Sequence, residues 1–135
     1  LIGTIEKLYE ANGVDMDMEI ALFNADQNKE LEVIVEQART AYASRPSIHA
    51  ADVLAWALYK TGNFEEAQVY SKEALRLETK DALKLFHAGM IAYRLGDNTQ
   101  AQVYLEQTLA INPHFSFLYA EEAQKTLHIL QAGDE

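Results

Sequence analysis

A chain of 135 residues, 49% of them hydrophobic, is long enough to form one domain with a buried core. The net charge of −10 and the lack of any Lys/Arg cluster argue against nucleic acid and anionic membranes as partners. No apolar run approaches the length of a membrane-spanning helix, so no membrane insertion is predicted.

Cysteine is absent, which excludes disulfides, a thiol nucleophile and thiolate zinc ligands but leaves the cellular compartment open. The chain begins at Leu1 rather than Met, and its first residues do not have the basic-then-apolar pattern of a targeting segment. We therefore expect a piece of a longer protein, and the sequence predicts no localisation.

The first third of the chain contains three predicted helices. Residues 2–11 form a short helix broken by Asn12-Gly13, and residues 16–26 form a short apolar helix. Residues 30–43 form a longer helix that ends before Arg45-Pro46, because proline disfavours helical angles in its predecessor. We assign 1–13 to a partial N-terminal helix and 15–47 to a divergent repeat.

From residue 48 onward, the pattern of helix, short turn and helix occurs twice. Apolar residues at helical spacing mark helices from Ile48, from Phe64, over 83–95 and over 99–111, and Gly62 and Gly96 occupy the turns. A last helix over 116–130 has one apolar and one polar face, as a terminal cap requires. The predicted units are 48–81, 82–115 and a capping helix at 116–131.

The two units are copies of one another. Ala67-Gln68-Val69-Tyr70 recurs thirty-four residues later as Ala101-Gln102-Val103-Tyr104, and Gly62 recurs as Gly96. A constant period of this length indicates a stack of repeated helix pairs, which presents extended surfaces.

These residues resemble the tetratricopeptide repeat family. The matching positions are a small residue in each first helix, a turn glycine, an early alanine in each second helix and a closing proline: Ala55 and Gly89, Gly62 and Gly96, Ala67 and Ala101, Pro46 and Pro113. Ala51 and Leu85 stand where the family often has Trp, and Thr79 stands where a closing proline is expected. The resemblance implies an all-α solenoid of antiparallel helix hairpins with a right-handed superhelix and a C-terminal capping helix. It also implies burial of the matched alanines at the helix crossings.

Catalytic and metal-binding patterns are missing from the sequence. The four histidines have no zinc-binding spacing, and there is no glycine-rich phosphate loop and no nucleophile elbow. The sequence therefore predicts a protein that is not an enzyme and that has no cofactor or metal.

The resemblance implies recognition of a protein or peptide segment in a concave groove lined by the first helix of each unit. We call the predicted lining the concave stripe: His49, Asp52, Trp56, Tyr59, Lys60, Phe86, Met90, Tyr93, Arg94 and Phe117. Its aromatic and methionine content favours an apolar or aromatic partner segment, with Lys60 and Arg94 holding acidic residues and Asp52 a basic one. The Lys-Asn-Arg clamp with which one subclass of the family grips C-terminal carboxylates is absent.

Three interpretations remain open at this stage. The chain is an adaptor or scaffold, a structural or oligomerisation domain that packs within a larger parent protein or on a second copy, or a regulatory or substrate-presenting domain of an enzyme. Exposure of Trp56, Tyr59, Phe86 and Tyr93 would favour the first interpretation, and mutual packing of these aromatics would favour the second.

Overall fold

A computed structural model describes residues 29–77 and 80–133. The described part contains six α-helices and no strand: α1 (Lys29–Ser44), α2 (Ile48–Lys60), α3 (Phe64–Ala74), α4 (Ala82–Arg94), α5 (Asn98–Ile111) and α6 (Ala120–Gly133). The helices predicted at 2–11 and 16–26, and the comparison of Thr79 with the closing prolines, lie outside the described residues.

The helices pack as consecutive hairpins. The closest helix pairs are α2 with α3 and α4 with α5, and α1, α3 and α5 also pack against the helices that follow them. The first helices of the two hairpins, α2 and α4, contact each other directly. The prediction of an all-α stack of helix hairpins is confirmed, whereas the hand of its superhelix stays a prediction.

Glycine makes both hairpin turns possible. Gly62 and Gly96 have φ angles of 86° and 83°, which L side chains rarely adopt. After α2, the Asn63 amide donates to the Leu58 carbonyl at 2.9 Å and the Gly62 amide to the Tyr59 carbonyl at 3.0 Å. This is the Schellman arrangement that ends a helix by satisfying its last carbonyls, and the same pair of bonds follows α4.

Replacing Gly62 with Ala is expected to lower the free energy of unfolding by about 1 kcal/mol. No atom lies within 4 Å of the added methyl group, so the penalty comes from the backbone angle and not from a clash. Gly133→Ala is the matched control, because its surroundings are equally open and its φ lies outside the left-handed region. Urea unfolding followed by circular dichroism measures both variants, and equal midpoints would contradict this explanation.

Small residues allow the two helices of a hairpin to approach closely. Ala55, Ala67 and Ala101 are 0% exposed, which confirms their predicted burial. In the second hairpin, a methyl group added to Gly89 would lie 2.9 Å from Leu105 Cδ2, below ordinary contact distance. The helix crossings therefore have no room for larger side chains at these positions.

The last helix begins later than the sequence predicts. We expected it from residue 116, but α6 runs from Ala120 to Gly133. The Ser116 hydroxyl oxygen accepts hydrogen bonds from the amides of Leu118 (3.1 Å) and Tyr119 (3.2 Å). These bonds hold residues 117–119 in a turn ahead of the helix, because a serine hydroxyl can satisfy amides that a helix start leaves unpaired.

Candidate functional site

The structure divides the concave stripe into a buried and an accessible part. Four members lie in the core with exposed fractions of 5% or less: Asp52, Trp56, Phe86 and Met90. Tyr59, Lys60 and Tyr93 are half-buried, and His49 and Arg94 are exposed. Phe117 is 90% exposed, although Tyr119, only two residues later, is buried.

The buried aromatics pack against one another around Trp56. The Trp56 ring stacks on Tyr59 at a centroid distance of 4.4 Å and on His87 at 4.3 Å, and Phe86 lies 5.5 Å away. The Tyr119 ring, from the turn before α6, packs nearly perpendicular to the same indole at a centroid distance of 5.4 Å. The Trp56 indole N–H donates to the Tyr119 hydroxyl at 3.2 Å, which supplies the partner that a buried indole needs. Trp56 and Phe86 therefore pack against each other and their neighbours in the core and do not form an open surface.

Polar side chains connect the two first helices beside this aromatic cluster. Asp52 Oδ1 on α2 lies 2.8 Å from His87 Nδ1 on α4, and both residues are buried. One turn earlier, the Lys84 ammonium lies 2.9 Å from His49 Nδ1 and 3.0 Å from Asp81 Oδ2. Burial opposes ionisation of Asp81, but the hydrogen bond and charge of the Lys84 ammonium, together with the backbone amides of Lys84 and Leu83, lower the pKa of this carboxyl below its usual value.

Sequence reasoning missed Lys84, His87 and Tyr119 as members of this arrangement. A signal for the first two was present, because His49 and Asp52 are three residues apart on α2, as are Lys84 and His87 on α4. Each cross-helix pair is separated by thirty-five residues, close to the repeat period. No comparable signal marked Tyr119, since it comes from the turn after the repeats.

A pocket opens at the turn end of the hairpins. We call it the turn-end pocket, and its volume is about 380 Å³; it is lined by Leu31, Glu32, Tyr59, Lys60, Thr61, Gly62, Phe64 and Arg94. Lys60 and Arg94 occupy equivalent positions, thirty-four residues apart, in the last turns of α2 and α4. The helices thus bring three members of the concave stripe, Tyr59, Lys60 and Arg94, to one opening.

Aromatic rings hold the two cationic side chains of the turn-end pocket. The Arg94 guanidinium carbon lies 4.7 Å from the Phe64 ring centroid, and the Lys60 ammonium lies 5.9 Å from that of Trp56. Burial raises the pKa of the Tyr59 hydroxyl, the charge of Glu122 adds to this rise and Arg94 opposes it. Tyr59 therefore offers a neutral hydroxyl beside two positive charges.

Neither a metal-binding group nor a membrane-spanning helix is found among the described residues. No group of three or more acidic or histidine side chains within 29–77 and 80–133 is placed to hold a metal ion. Of the helices in these ranges, none combines the length and the apolar character needed to cross a bilayer.

Stacked helix hairpins with glycine turns and small residues at the crossings define a helical-repeat protein. Two models of the tetratricopeptide repeat family match the sequence, one over residues 47–88 and the other over residues 85–115. Together they span slightly more than half of the chain, and the chain belongs to the tetratricopeptide repeat family. Tetratricopeptide repeats generally mediate protein–protein interaction, and the family is typically a non-catalytic scaffold. In a comparison with curated proteins, nothing matches the chain.

Proposed function

We propose that this chain is an adaptor module that binds a segment of a partner protein along the concave stripe and has no catalytic activity of its own. The observation that carries the proposal is the convergence of Lys60 and Arg94, from equivalent positions of two repeats, on one pocket beside Tyr59. Repetition of a cation at the same helix end supplies a row of contacts that one extended or helical segment can follow.

The buried and accessible members of the stripe have different roles in this proposal. Trp56, Phe86 and Met90 hold the shape of the surface, and the half-buried or exposed members contact the partner. Asp52 is engaged with His87, so its role is to position α2 against α4. Because Asp52 is buried against His87, we propose this positioning role for it in place of the selection of a basic ligand residue.

The partner segment is expected to carry acidic side chains next to an aromatic or aliphatic residue. A carboxylate of the partner can pair with Lys60 and Arg94, and a guanidinium offers two parallel donors to such a group. An apolar neighbour would rest on Tyr59 and Tyr93. Affinity is expected to be modest, because binding must offset the loss of rigid-body freedom before contacts contribute.

Reversal of both charges tests the proposal. Peptides are selected from a random display library on the parent protein, and their dissociation constants are measured by fluorescence anisotropy. Lys60→Glu with Arg94→Glu is expected to weaken binding at least about tenfold, because charged hydrogen bonds are lost and repulsion replaces them. The matched control is Lys72→Glu with Arg76→Glu, which makes the same charge change at two exposed positions, one in the last turn of α3 and one just after it. Equal binding by the two double variants would refute the proposal.

Burial of Trp56 and Phe86 gives weight to a second candidate, a structural domain that packs on a second copy or within a larger protein. In that case Phe117, which is 90% exposed, would belong to the contact surface. Analytical ultracentrifugation at increasing protein concentration tests whether the chain packs on a second copy of itself. A rise in mass that Phe117→Ser abolishes would support oligomerisation, whereas a constant monomer mass would exclude it for the chain alone.

A further inference from the structure

The second helices of successive units, α1, α3 and α5, face one another across two grooves that contain no member of the concave stripe. We call the groove between α1 and α3 the first groove and that between α3 and α5 the second groove. The helices that line the two grooves are copies of one repeat, so equivalent positions can be compared directly. Residues of α1 correspond to residues of α3 thirty-three positions later, and residues of α3 to residues of α5 thirty-four positions later.

The chain's own side chains bridge the first groove. Both terminal nitrogens of Arg39 on α1 donate to the carboxylate of Glu66 on α3, each at 2.9 Å. The Tyr42 hydroxyl donates to Glu73 Oε2 at 2.6 Å, and the Tyr42 and Tyr70 rings pack nearly perpendicular to each other with a centroid distance of 5.3 Å. A phenol from α1 therefore occupies the first groove between an aromatic wall and a polar acceptor.

The second groove keeps the aromatic wall of the first groove but lacks the residues that form its hydrogen bond and its ion pair. Tyr104 stands where Tyr70 stands in the first groove, so the aromatic wall is kept. Leu75 replaces Tyr42, and Gln107 replaces Glu73, so the phenol is missing and the acceptor is neutral. At the other bridge, Lys72 and Gln100 replace the ion pair of the first groove.

A cavity marks the place that the phenol fills one repeat earlier. Its volume is about 690 Å³, and it is lined by Leu75, Lys80, Leu85, Tyr104, Gln107, Ala110 and Ile111. Ile111 is 44% exposed, so a large aliphatic side chain remains in contact with water at the edge. Lys80 provides a positive charge on a chain whose net charge is −10.

We propose that the second groove binds a tyrosine side chain of a partner protein, in a segment with an acidic residue next to that tyrosine. The ring takes the place that Tyr42 has in the first groove, against Tyr104 and the aliphatic walls. The phenolic hydroxyl donates to the Gln107 side-chain carbonyl, as the Tyr42 hydroxyl donates to Glu73. The neighbouring carboxylate pairs with Lys80. This surface is separate from the turn-end pocket, so the two proposals stand or fall independently.

Fragment binding provides the first test. 4-Methylphenol is titrated into the isotope-labelled protein, and backbone amide shifts are followed by nuclear magnetic resonance. Saturable shifts are expected at Tyr104, Gln107 and Ile111, and toluene is expected to bind about fivefold more weakly, because it lacks the hydroxyl. Shifts confined to other surfaces, or equal binding of the two probes, would overturn the assignment.

Exchanging residues between the grooves provides matched variants. Leu75→Tyr with Gln107→Glu rebuilds the bridge of the first groove inside the second and should abolish the 4-methylphenol shifts. Ala110→Leu, at an exposed lining position, should also block the probe and serves if the double variant fails to fold. Tyr42→Leu should open the first groove and add shifts at Tyr70 and Glu73. Binding that survives both blocking variants would contradict the proposal.

A peptide pair tests the acidic neighbour and the occupant. Acetyl-Glu-Tyr-Glu-amide is expected to bind about fivefold more tightly than acetyl-Lys-Tyr-Lys-amide, with the difference removed by Lys80→Gln. Equal affinities would remove the acidic residue from the proposal. If instead the chain self-associates, and Leu75→Tyr with Gln107→Glu abolishes this association, a second copy occupies the groove and the assignment to a partner protein is wrong.

Discussion

Trp56→Ala is expected to lower the free energy of unfolding by about 3–5 kcal/mol, the range for removing a large aromatic side chain from a core. Trp56 is 1% exposed, and four aromatic rings surround it, from Tyr59, Phe86, His87 and Tyr119. The substitution leaves a cavity between the two hairpins and the turn before α6. It also leaves the Tyr119 hydroxyl without the hydrogen bond from the indole.

Urea unfolding followed by far-ultraviolet circular dichroism measures this loss, because the variant has no tryptophan fluorescence to follow. Val69→Ala is the control, since Val69 is 63% exposed and should change stability by less than about 0.5 kcal/mol. In the parent protein, Trp56 is the only tryptophan, so a blue-shifted emission that acrylamide hardly quenches should accompany the large effect. A small loss for Trp56→Ala together with strong quenching would instead place this ring at an open surface.

The hairpins could be predicted from the sequence because local rules determine them. The positive φ angles at Gly62 and Gly96 follow from the need for a left-handed residue where a helix ends. Burial of Ala67 and Ala101 follows from the repeat, since two copies at a constant spacing must occupy equivalent crossings. Both features depend on residues that lie close together in the chain.

Accessibility of the concave stripe could not be predicted in the same way. Every residue from Ala51 to Leu58 is buried, so α2 has no face between these positions that periodicity could mark as open. Tyr119, far along the chain, packs on Trp56 and Phe86. Lys84 is 4% exposed. Its contact with Asp81 is local, but its contact with His49 on α2 requires the tertiary fold.

Equivalent positions in the two grooves have different surroundings. The identical tetrapeptides place Tyr70 and Tyr104 at equivalent positions, which suggests equivalent surroundings. Only the structure shows that Tyr42 and Arg39 bridge one groove, and that the changes to Leu75, Lys72, Gln100 and Gln107 therefore matter for the other. Repeats preserve the backbone, while substitutions between helices determine which surfaces the chain fills itself.

The hairpin crossing gives the second large expected effect. Ala67→Leu should lower the free energy of unfolding by about 1–3 kcal/mol, because three extra carbon atoms must fit where the alanine methyl group is already fully enclosed. The equivalent hairpin shows how small the clearance is, since a single methyl group on Gly89 would approach Leu105 Cδ2 to 2.9 Å. The hairpin helices would have to move apart, and their packing against neighbouring helices would loosen with them.

Ala43→Leu is the matched control for this substitution. It makes the same chemical change at an exposed position on α1, and both residues are good helix formers. The midpoint of urea unfolding for Ala43→Leu should therefore stay close to that of the parent, while Ala67→Leu should shift it clearly downward. If the two leucine variants have the same midpoint of urea unfolding, Ala67 does not lie at a tight crossing, and the register that pairs it with Ala101 is wrong. A loss confined to Ala67→Leu would show that steric fit between α2 and α3, rather than helix propensity, limits this position.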